Sequence, residues 1–230
     1  MNDTLYQVAI WLIPLIIAIV FHEVAHGYVA RMLGDQTAAE RGRLTLNPIR
    51  HVDPVGTLLV PMMLALAHAP IFGWAKPVPV VTERLNHPRR DMALVALAGP
   101  GINLIMATIT AAVIGSWAAT AGGLPQTGAV GFAAANLVNF LYINVFLAIF
   151  NLLPVPPFDG GHVIEAILPR PLAAQFGKLH RFAFPVMLFL LVVLPMIAPK
   201  ADIVARIVYP IANAVIGALL APFLPAAPSA

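Results

Sequence analysis

The chain has 230 residues, of which 60% are hydrophobic and only 10% are charged, and its mean hydropathy is +0.87. A soluble domain carries roughly a quarter charged residues, so this composition excludes an ordinary soluble protein and indicates a membrane protein. The chain contains no cysteine, which excludes disulfides and thiolate metal sites. We attribute the net charge of +3 to basic loops and expect no nucleic acid binding, because no basic helix or aromatic-basic module accompanies it.

Residues 5–31 are predicted to form the first membrane-spanning helix, because their apolar run is long enough to cross a hydrocarbon core of roughly 30 Å. The run contains the sequence His22-Glu23-Val24-Ala25-His26, an HExxH pattern. Histidines four residues apart lie on one face of a helix, which is the spacing that two ligands of a single metal ion need. The glutamate between them points about a quarter-turn away, where it can act on a water at the metal. The pattern therefore predicts a hydrolytic metal site within the bilayer.

The region after the first span is predicted to return to the membrane without crossing it. Residues 55–70 are apolar but too short for a span, so we predict a re-entrant segment. A small membrane-associated β element is expected beside it, composed of a short strand at residues 43–46 and an extended segment at residues 72–81. Pro77 and Pro79 forbid a helix in the second of these and favour an edge-strand backbone.

The rest of the chain is predicted to be helical, so the fold class is an all-α polytopic membrane protein with about five spanning helices, the re-entrant segment and the β element. Four further spans are predicted at residues 91–117, 136–153, 182–198 and 203–223. The uncharged, glycine-rich stretch 118–135 is predicted to be a loop. We expect residues 1–230 to be a single membrane-embedded domain, with a catalytic core at about 5–168 and accessory C-terminal helices at about 180–224.

The distribution of basic residues predicts the orientation in the membrane. Most of the 13 Lys and Arg residues lie between the first span and Asp91, and the 118–135 loop has none. The basic residues of this region are Arg31, Arg41, Arg43, Arg50, Lys76, Arg84, Arg89 and Arg90. The positive-inside rule then places the N-terminus outside and residues 32–90 in the cytoplasm. The predicted location is the cell membrane, as a multi-pass protein with its active site toward the cytoplasmic side.

A catalytic zinc site needs a third protein ligand and an open position for water. Asp159 is the best candidate, because it follows a span in a break rich in proline and glycine. A carboxylate at this depth is costly unless it is paired or bound to a metal. A helix-capping role for Asp159 is the alternative. The acidic residues Asp53, Glu83 and Asp91 lie in polar loops and are interpreted as solvated.

Other polar residues near the predicted spans have less specific interpretations. His162 and Glu165 are one turn apart and are assigned to an interfacial helix, with a supporting role behind the metal ligands as the alternative. His51 is either a supporting residue of the site or an ordinary loop histidine. Interfacial or solvated positions are expected for His68, His87 and His180. An amide within a span usually bonds to another helix, although one could orient a substrate carbonyl; the candidates are Asn103, Asn139, Asn144 and Asn151.

Four motifs carry a resemblance to a known family. The motifs are Phe21–Gly27 with its HExxH, Gly73–Val80, Ala98–Asn103 and Asn151–Gly161. They resemble the site-2 protease family of intramembrane zinc metalloproteases, specifically its compact bacterial and archaeal branch without PDZ or CBS domains.

The resemblance implies one zinc ion held by His22, His26 and Asp159, with Glu23 as the catalytic base. It further implies that Asn103 and Asn151 support the site or bind the substrate. The implied reaction is hydrolysis of peptide bonds within or near the transmembrane segment of single-span membrane proteins, in regulated intramembrane proteolysis. The 72–81 segment would pair with an unwound substrate as an edge strand.

Two alternatives from other classes stay open at this stage. A membrane metal or ion transporter could use the His/Asp cluster as a translocation site, although the paired repeats usual in transporters are absent from the sequence. An inactive scaffold could keep a structural metal. Zinc is the expected ion for this ligand set, with iron, cobalt or manganese as alternatives.

Overall fold

Long apolar helices dominate the computed structural model, which describes residues 3–66 and 73–223. Four helices are long and apolar enough to cross a membrane, namely Thr4–Met32, Pro88–Ala121, Gly128–Asn151 and Val204–Phe223. A fifth crossing results if Arg170–Phe182 and Pro185–Ile197, which are bent by 72° relative to each other, are counted as one span. Within residues 3–66 and 73–223 the protein therefore has four to five helices able to span a membrane, which confirms the prediction of an all-α, multi-pass membrane protein.

The α-helices are numbered here in chain order. They are α1 (Asp3–Met32), α2 (Thr37–Glu40), α3 (Val60–Leu66), α4 (Pro88–Ala121), α5 (Gly128–Asn151), α6 (Asp159–Ile167), α7 (Arg170–Gly177), α8 (Ala183–Leu188), α9 (Leu194–Ile197) and α10 (Tyr209–Leu220). Short 3₁₀ or π-helical turns occupy Pro48–His51, Pro54–Leu59, Thr82–Arg84, Lys178–Phe182, Phe189–Val193, Pro199–Ala201, Val204–Val208 and Ala221–Phe223. The end of α4 has a local cause, because Gly122 adopts a φ of +70°, a conformation that favours glycine and stops a helix.

A bundle of α1, α4 and α5 forms the centre of the molecule, with α6 packed against α4 and α10 packed against α4 and α5. Hydrogen bonds along α1 show how the neighbouring helices α4 and α5 are placed relative to it. The carbonyl of Ile10 accepts a hydrogen bond from Asn139 of α5, whereas His26, farther along α1, bonds to Val95 of α4. Because Asn103 of α4 lies beside the earlier His22, α4 runs antiparallel to α1.

Close apolar packing holds one part of this bundle together. Toward the C-terminal half of α4, the interior is mostly apolar and rich in alanine, which lets the helices approach closely. Its buried residues are Ala107, Ala111, Ile114, Leu141, Val145 and Ala212. The outward faces of the same helices carry large exposed apolar side chains such as Ile105 and Ile109, both more than half exposed, as a surface in contact with lipid requires.

The predicted loop at 118–135 is largely helical in the structure. Helix α4 continues to Ala121 and α5 begins at Gly128, so only residues 122–127 connect them. Alanine and other apolar residues at the edges of this stretch are compatible with helix, and packing against the bundle outweighs the weak helix propensity of glycine.

The prediction of a β element is wrong, since no strand occurs among residues 3–66 and 73–223. Leu44 and Thr45 form a bend instead of a strand, and residues 73–81 belong to neither a helix nor a strand. The reason lies in the hydrogen bonds of the extended segment, whose N–H groups bond to turns and side chains instead of a ladder. Residue 72 lies outside the described residues.

The predicted re-entrant segment contains a short apolar helix, Pro54–Leu64, which is too short to count as a span. Asp53 caps its start, accepting hydrogen bonds from the N–H groups of Val55 (2.9 Å) and Gly56 (2.7 Å). Residues 67–70 of this prediction lie outside the described residues.

The interpretation of Asp91 as a solvated residue is wrong. Its carboxylate is fully buried at the start of α4 and accepts a hydrogen bond of 2.7 Å from the N–H of His87. A first-turn acidic residue that satisfies an unpaired N–H stabilises the beginning of a helix, which explains its burial.

Candidate metal centre

The three predicted ligands, which belong to helices distant in sequence, meet in the interior of the bundle. The Nε2 atoms of His22 and His26 on α1 are 3.0 Å apart. Asp159, the first residue of α6, places Oδ2 3.2 Å from Nε2 of His22 and Oδ1 3.5 Å from Nε2 of His26. In a tetrahedral zinc site with bonds of about 2.0–2.2 Å, neighbouring ligand atoms are roughly 3.3 Å apart. The triangle of donor atoms therefore has the dimensions of a zinc site.

The protonation pattern of the two imidazoles also favours a cation. The Nδ1–H of His22 donates to Oδ1 of Asn103 (2.5 Å), and the Nδ1–H of His26 donates to the carbonyl of Val95 (2.7 Å). Because both partners are acceptors, each ring in its neutral form carries its hydrogen on Nδ1 and leaves on Nε2 a lone pair that faces the other ring. Oδ2 of Asp159 is buried and has no hydrogen-bond partner among the described residues, although Nε2 of His22 is only 3.2 Å away. Lone pairs so close together repel one another unless a positive ion lies between them, so these residues fit a metal ion.

A chain of two buried amides holds the ring of His22 in this state. Asn103 donates through Nδ2 to Oδ1 of Asn144 (2.7 Å), and Asn144 donates through Nδ2 to the carbonyl of Phe140 (2.8 Å). Because a backbone carbonyl can only accept, the direction of every bond from Phe140 to His22 is determined. Both amides are fully buried. Sequence reasoning identified Asn103 through the resemblance but treated Asn144 as an ordinary interhelical amide, and no spacing in the sequence links it to His22.

Gly99 makes room for the imidazoles where α4 crosses α1. A Cβ atom at this position would lie 2.5 Å from Cε1 of His22 and 2.5 Å from Nε2 of His26. Carbon atoms do not approach others so closely, hence any larger residue would displace the rings. Among the residues of α4, Gly99 thus forms the wall of the site.

The position of Asp159 depends on the close approach of α6 to the end of α5. A Cβ atom at Gly160 would lie 2.3 Å from the carbonyl oxygen of Leu152, so only glycine allows the two backbones to touch. The ring of Phe158 packs edge-on against that of Phe150, with centroids 4.6 Å apart. These contacts fix the first residue of α6 opposite the two histidines.

Glu23 points away from the imidazoles toward the extended segment 73–81. Its Oε2 accepts a hydrogen bond of 2.7 Å from the N–H of Val78. The buried Arg43 binds the same segment, because its Nη2 donates to the carbonyl of Lys76 (2.7 Å). Burial lowers the pKa of Arg43, and the negative charge of Glu23 opposes that change. Sequence reasoning placed Arg43 in the predicted strand and did not connect it with Glu23.

The extended segment 73–81 uses one of its two edges to bind the protein. The N–H of Trp74 donates to the carbonyl of Gly56 (3.1 Å), and that of Lys76 donates to the carbonyl of His51 (2.9 Å). Together with Val78, these alternate residues direct their N–H groups to one side, since neighbouring residues of an extended chain face opposite sides. The opposite edge comprises residues 75, 77 and 79, and the prolines at 77 and 79 leave it with carbonyl groups and a single N–H.

Asn151 and His51, which the sequence analysis considered as supporting residues, make their hydrogen bonds away from His22, His26 and Asp159. Asn151 donates through Nδ2 to the carbonyl of Leu147 (2.9 Å) within α5, and the structure shows no bond from it to a metal ligand among the described residues. His51 is buried, and its Nε2 lies 2.9 Å from the carbonyl of Thr45. This histidine therefore organises the loop that holds Lys76 instead of contacting the three ligands.

Comparison with known proteins identifies the family. Residues 10–194 match the family model described as Peptidase family M50. A Bacillus subtilis protein named "Putative zinc metalloprotease YwhC" is 39% identical over 188 residues, which cover 78% of each chain. "Putative zinc metalloprotease Rip2" of Mycobacterium tuberculosis is 34% identical over 186 residues, which cover 80% of this chain and 66% of the relative, so the match spans about two thirds of the mycobacterial protein.

A more distant relative is "Zinc metalloprotease MJ0392" of Methanocaldococcus jannaschii, which is 23% identical over 186 residues covering 77% of this chain and 42% of the relative. No solved structure matches the chain significantly. None of these comparisons supports the transporter alternative. With a family model that matches most of its length, this chain belongs to peptidase family M50 and is a membrane metalloprotease.

Proposed function

We propose that the protein hydrolyses peptide bonds within or near the transmembrane segment of single-span membrane proteins, in regulated intramembrane proteolysis. The observation that carries this proposal is the convergence of the Nε2 atoms of His22 and His26 and the carboxylate of Asp159 within 3.5 Å of one another. This site lies on a membrane-spanning helix, ten residues before the end of α1 at Met32 and so about 15 Å along the helix from that end.

Zinc is the cofactor, and His22, His26 and Asp159 would hold it. When bound, zinc supplies Lewis acidity, which makes water nucleophilic near neutral pH and polarises a scissile carbonyl. Asn103 keeps the hydrogen of His22 on Nδ1, so that Nε2 stays available to the ion. Such outer partners typically contribute about 10- to 100-fold in metal affinity or activity.

Glu23 acts as the general base of the reaction. It lies one residue from His22 on the helix and its carboxylate is partly exposed. In the proposed reaction Glu23 takes the proton of the attacking water and returns it to the leaving amine of the cut peptide. The hydrogen bond from Val78 to Oε2 orients this carboxylate and connects it directly to the segment that would meet the substrate.

A substrate strand would bind the outer edge of segment 73–81. That edge offers carbonyl groups at residues 75, 77 and 79, so the substrate must supply the N–H groups. Because a membrane helix has its N–H groups bonded internally, the substrate has to unwind before it can pair. Helix-breaking residues near the cut should therefore speed cleavage, and equal rates for substrates with and without such residues would contradict this binding mode.

The active site is proposed to face the cytoplasm in the cell membrane. The positive-inside rule supports this orientation, because the loop containing Arg41, Arg43 and Arg50 follows the end of α1 that lies nearer to His22 and His26. In this arrangement residues 5–168 would form the catalytic core of a single domain and residues 180–224 would be accessory. A cysteine introduced at Arg89 should then react with a reagent from the cytoplasmic face alone.

The decisive experiment is cleavage of a model single-span protein by the full chain in detergent, with and without a chelator, alongside a zinc assay. Glu23→Gln is expected to abolish cleavage while zinc content stays unchanged, because only the base is lost. Glu83→Gln, at an exposed glutamate outside the site, is the matched control and should behave like the wild type. Full cleavage by Glu23→Gln, or cleavage that survives complete removal of the metal, would reject the proposal.

A further inference from the structure

A second cluster of metal-binding side chains lies beside the catalytic site. His162 and Glu165 belong to α6, and His180 belongs to the turn Lys178–Phe182. One ligand atom from each of these residues lies within 4.8 Å of the others. Among the described residues, only this group and the His22–His26–Asp159 triad meet that condition. The sequence analysis did not group these residues, because His180 lies 15 positions after Glu165 and was expected to be interfacial or solvated.

The carboxylate of Glu165 is the centre of the cluster. Its Oε2 lies 3.3 Å from Nε2 of His180 and 3.9 Å from Nδ1 of His162. Nε2 of His180 is buried and makes no hydrogen bond with any described residue. The same combination, a short distance without a hydrogen bond, occurs between Asp159 and His22 in the catalytic triad.

We propose that His162, Glu165 and His180 form a second binding site for a divalent transition-metal ion such as Zn²⁺. Two imidazoles and a carboxylate are ligands that zinc accepts, with water completing the coordination. The side chains are 28–34% exposed, more than those of His22 and His26, which are 8% and 11% exposed. This site is separate from the proposed catalytic function and does not depend on it.

The state of the rings suits metal binding. Burial lowers the pKa of His162, and the neighbouring ring of His180 lowers it further, so the imidazole is neutral at pH 7 and its lone pair is available. The two rings stack with centroids 4.6 Å apart and planes 24° apart. Binding requires each ring to turn so that its lone pair points at the ion, and the terminal torsion of histidine is broad enough to permit this turn.

Occupation of the site would connect two parts of the fold. Helix α6 begins with Asp159 and carries His162 one turn later, so an ion here would tie the helix of the catalytic ligand to residues 178–182. The other end of α6 is already anchored, because the guanidinium of Arg89 donates to the carbonyls of Glu165 and Leu168. An ion would therefore restrain α6 from a second side.

The test counts zinc in the full chain in detergent, after metal removal, resaturation with Zn²⁺ and separation from free ion. We expect two ions per wild-type chain. The double variant His162→Ala/His180→Ala should hold one, and so should His22→Ala/His26→Ala, whose remaining ion would occupy the second site. His87→Ala, at an exposed histidine in neither group, is the matched control and should keep two.

Cobalt titration of the His22→Ala/His26→Ala variant measures binding at the second site alone. Binding by this variant would also show that the second site still folds without the catalytic histidines. Visible cobalt absorption should appear, and adding Glu165→Gln, which preserves side-chain shape, should weaken binding at least tenfold. A wild type with one ion, or a second ion that survives loss of His162 and His180, would overturn this inference. In either case the result at the catalytic site stands separately, because His22→Ala/His26→Ala reports on that site.

Discussion

The two halves of helix α4 hold the bundle together in opposite ways. Its first half, around Val95, Gly99 and Asn103, faces the histidines of α1 and is held by directional hydrogen bonds between buried polar atoms. Its second half, around Ala107 and Ala111, packs against α5 and α10 mainly through apolar side chains. The hydroxyl of the buried Thr110 donates within α4, to the carbonyl of Met106. A polar atom buried in a membrane needs one particular partner, whereas an apolar surface needs only a close fit. Changes of single atoms should therefore affect metal binding in the first half and only stability in the second.

The largest effect is expected from Gly99→Ala. The new methyl group would overlap the imidazoles of His22 and His26, both 2.5 Å away, and should abolish zinc binding and proteolysis together. Gly101→Ala is the control on the same helix, because a Cβ atom there meets nothing within 4 Å. Metal analysis and a cleavage assay measure both outcomes. Normal zinc content in Gly99→Ala would show that the rings are not confined by α4.

A smaller loss is expected from Asn103→Leu, which removes the acceptor for the Nδ1–H of His22. Zinc affinity should fall about 10- to 100-fold, as for other residues that orient a metal-bound histidine. Asn144→Leu should have the same sign but a smaller effect, because it acts on His22 through Asn103. Competition with a metal-binding dye measures the affinities. Asn136→Leu is the control, since the amide of Asn136 bonds locally to the carbonyl of Phe132, and unchanged affinity in Asn103→Leu would disprove the relay.

Stability at the catalytic end should depend on Asp35, which joins the end of α1 to the extended segment. Burial would raise the pKa of Asp35, but hydrogen bonds from the side chain and N–H of Thr37 and from the N–H of Val81 lower it. Asp35→Asn should reduce the free energy of unfolding by about 1.5–3 kcal/mol near neutral pH, the usual range for a bond to a charged group.

The pH dependence of the Asp35 variant has a definite sign. Because the pKa of Asp35 is lowered in the folded state, its stabilisation is complete above an unfolded pKa of about 3.9 and is lost as the pH falls through the folded value. Unfolding experiments in detergent should show wild type and Asp35→Asn converging in stability only below about pH 4. A constant difference between them across that range would mean that the carboxylate charge is irrelevant.

At the apolar end, Ala111→Leu should change stability without changing the metal site. Ala111 is 1% exposed, so the larger side chain would overpack α4 against α5 and lower the free energy of unfolding by about 1–3 kcal/mol. Zinc affinity should stay at the wild-type value. Ile109→Leu, at a position 59% exposed on the lipid-facing surface, is the matched control and should alter neither quantity. A loss of zinc affinity in Ala111→Leu would show that the two halves of α4 are coupled.

The membrane class and most of the helices followed from the sequence because hydropathy and helical spacing are local properties. A run of apolar residues long enough to cross a bilayer needs no knowledge of its neighbours, and positions four apart share a helix face in any context. On this basis His22 and His26 were expected to point together, and their Nε2 atoms lie 3.0 Å apart. Asp159 was singled out because a carboxylate in an apolar setting needs a partner, and the structure places it beside both rings.

Tertiary contacts alone decided the remaining features. Asn144 joined the site and Gly99 became its wall because α4 and α5 cross α1 at those residues, and no local pattern encodes where distant helices cross. The extended segment 73–81 did not become a strand, since its N–H groups found partners in Glu23 and in loop carbonyls. His180 likewise met Glu165 only because the chain folds back after α7. Spacing along a single helix determines which side chains share a face, whereas the packing of separate helices determines what that face meets.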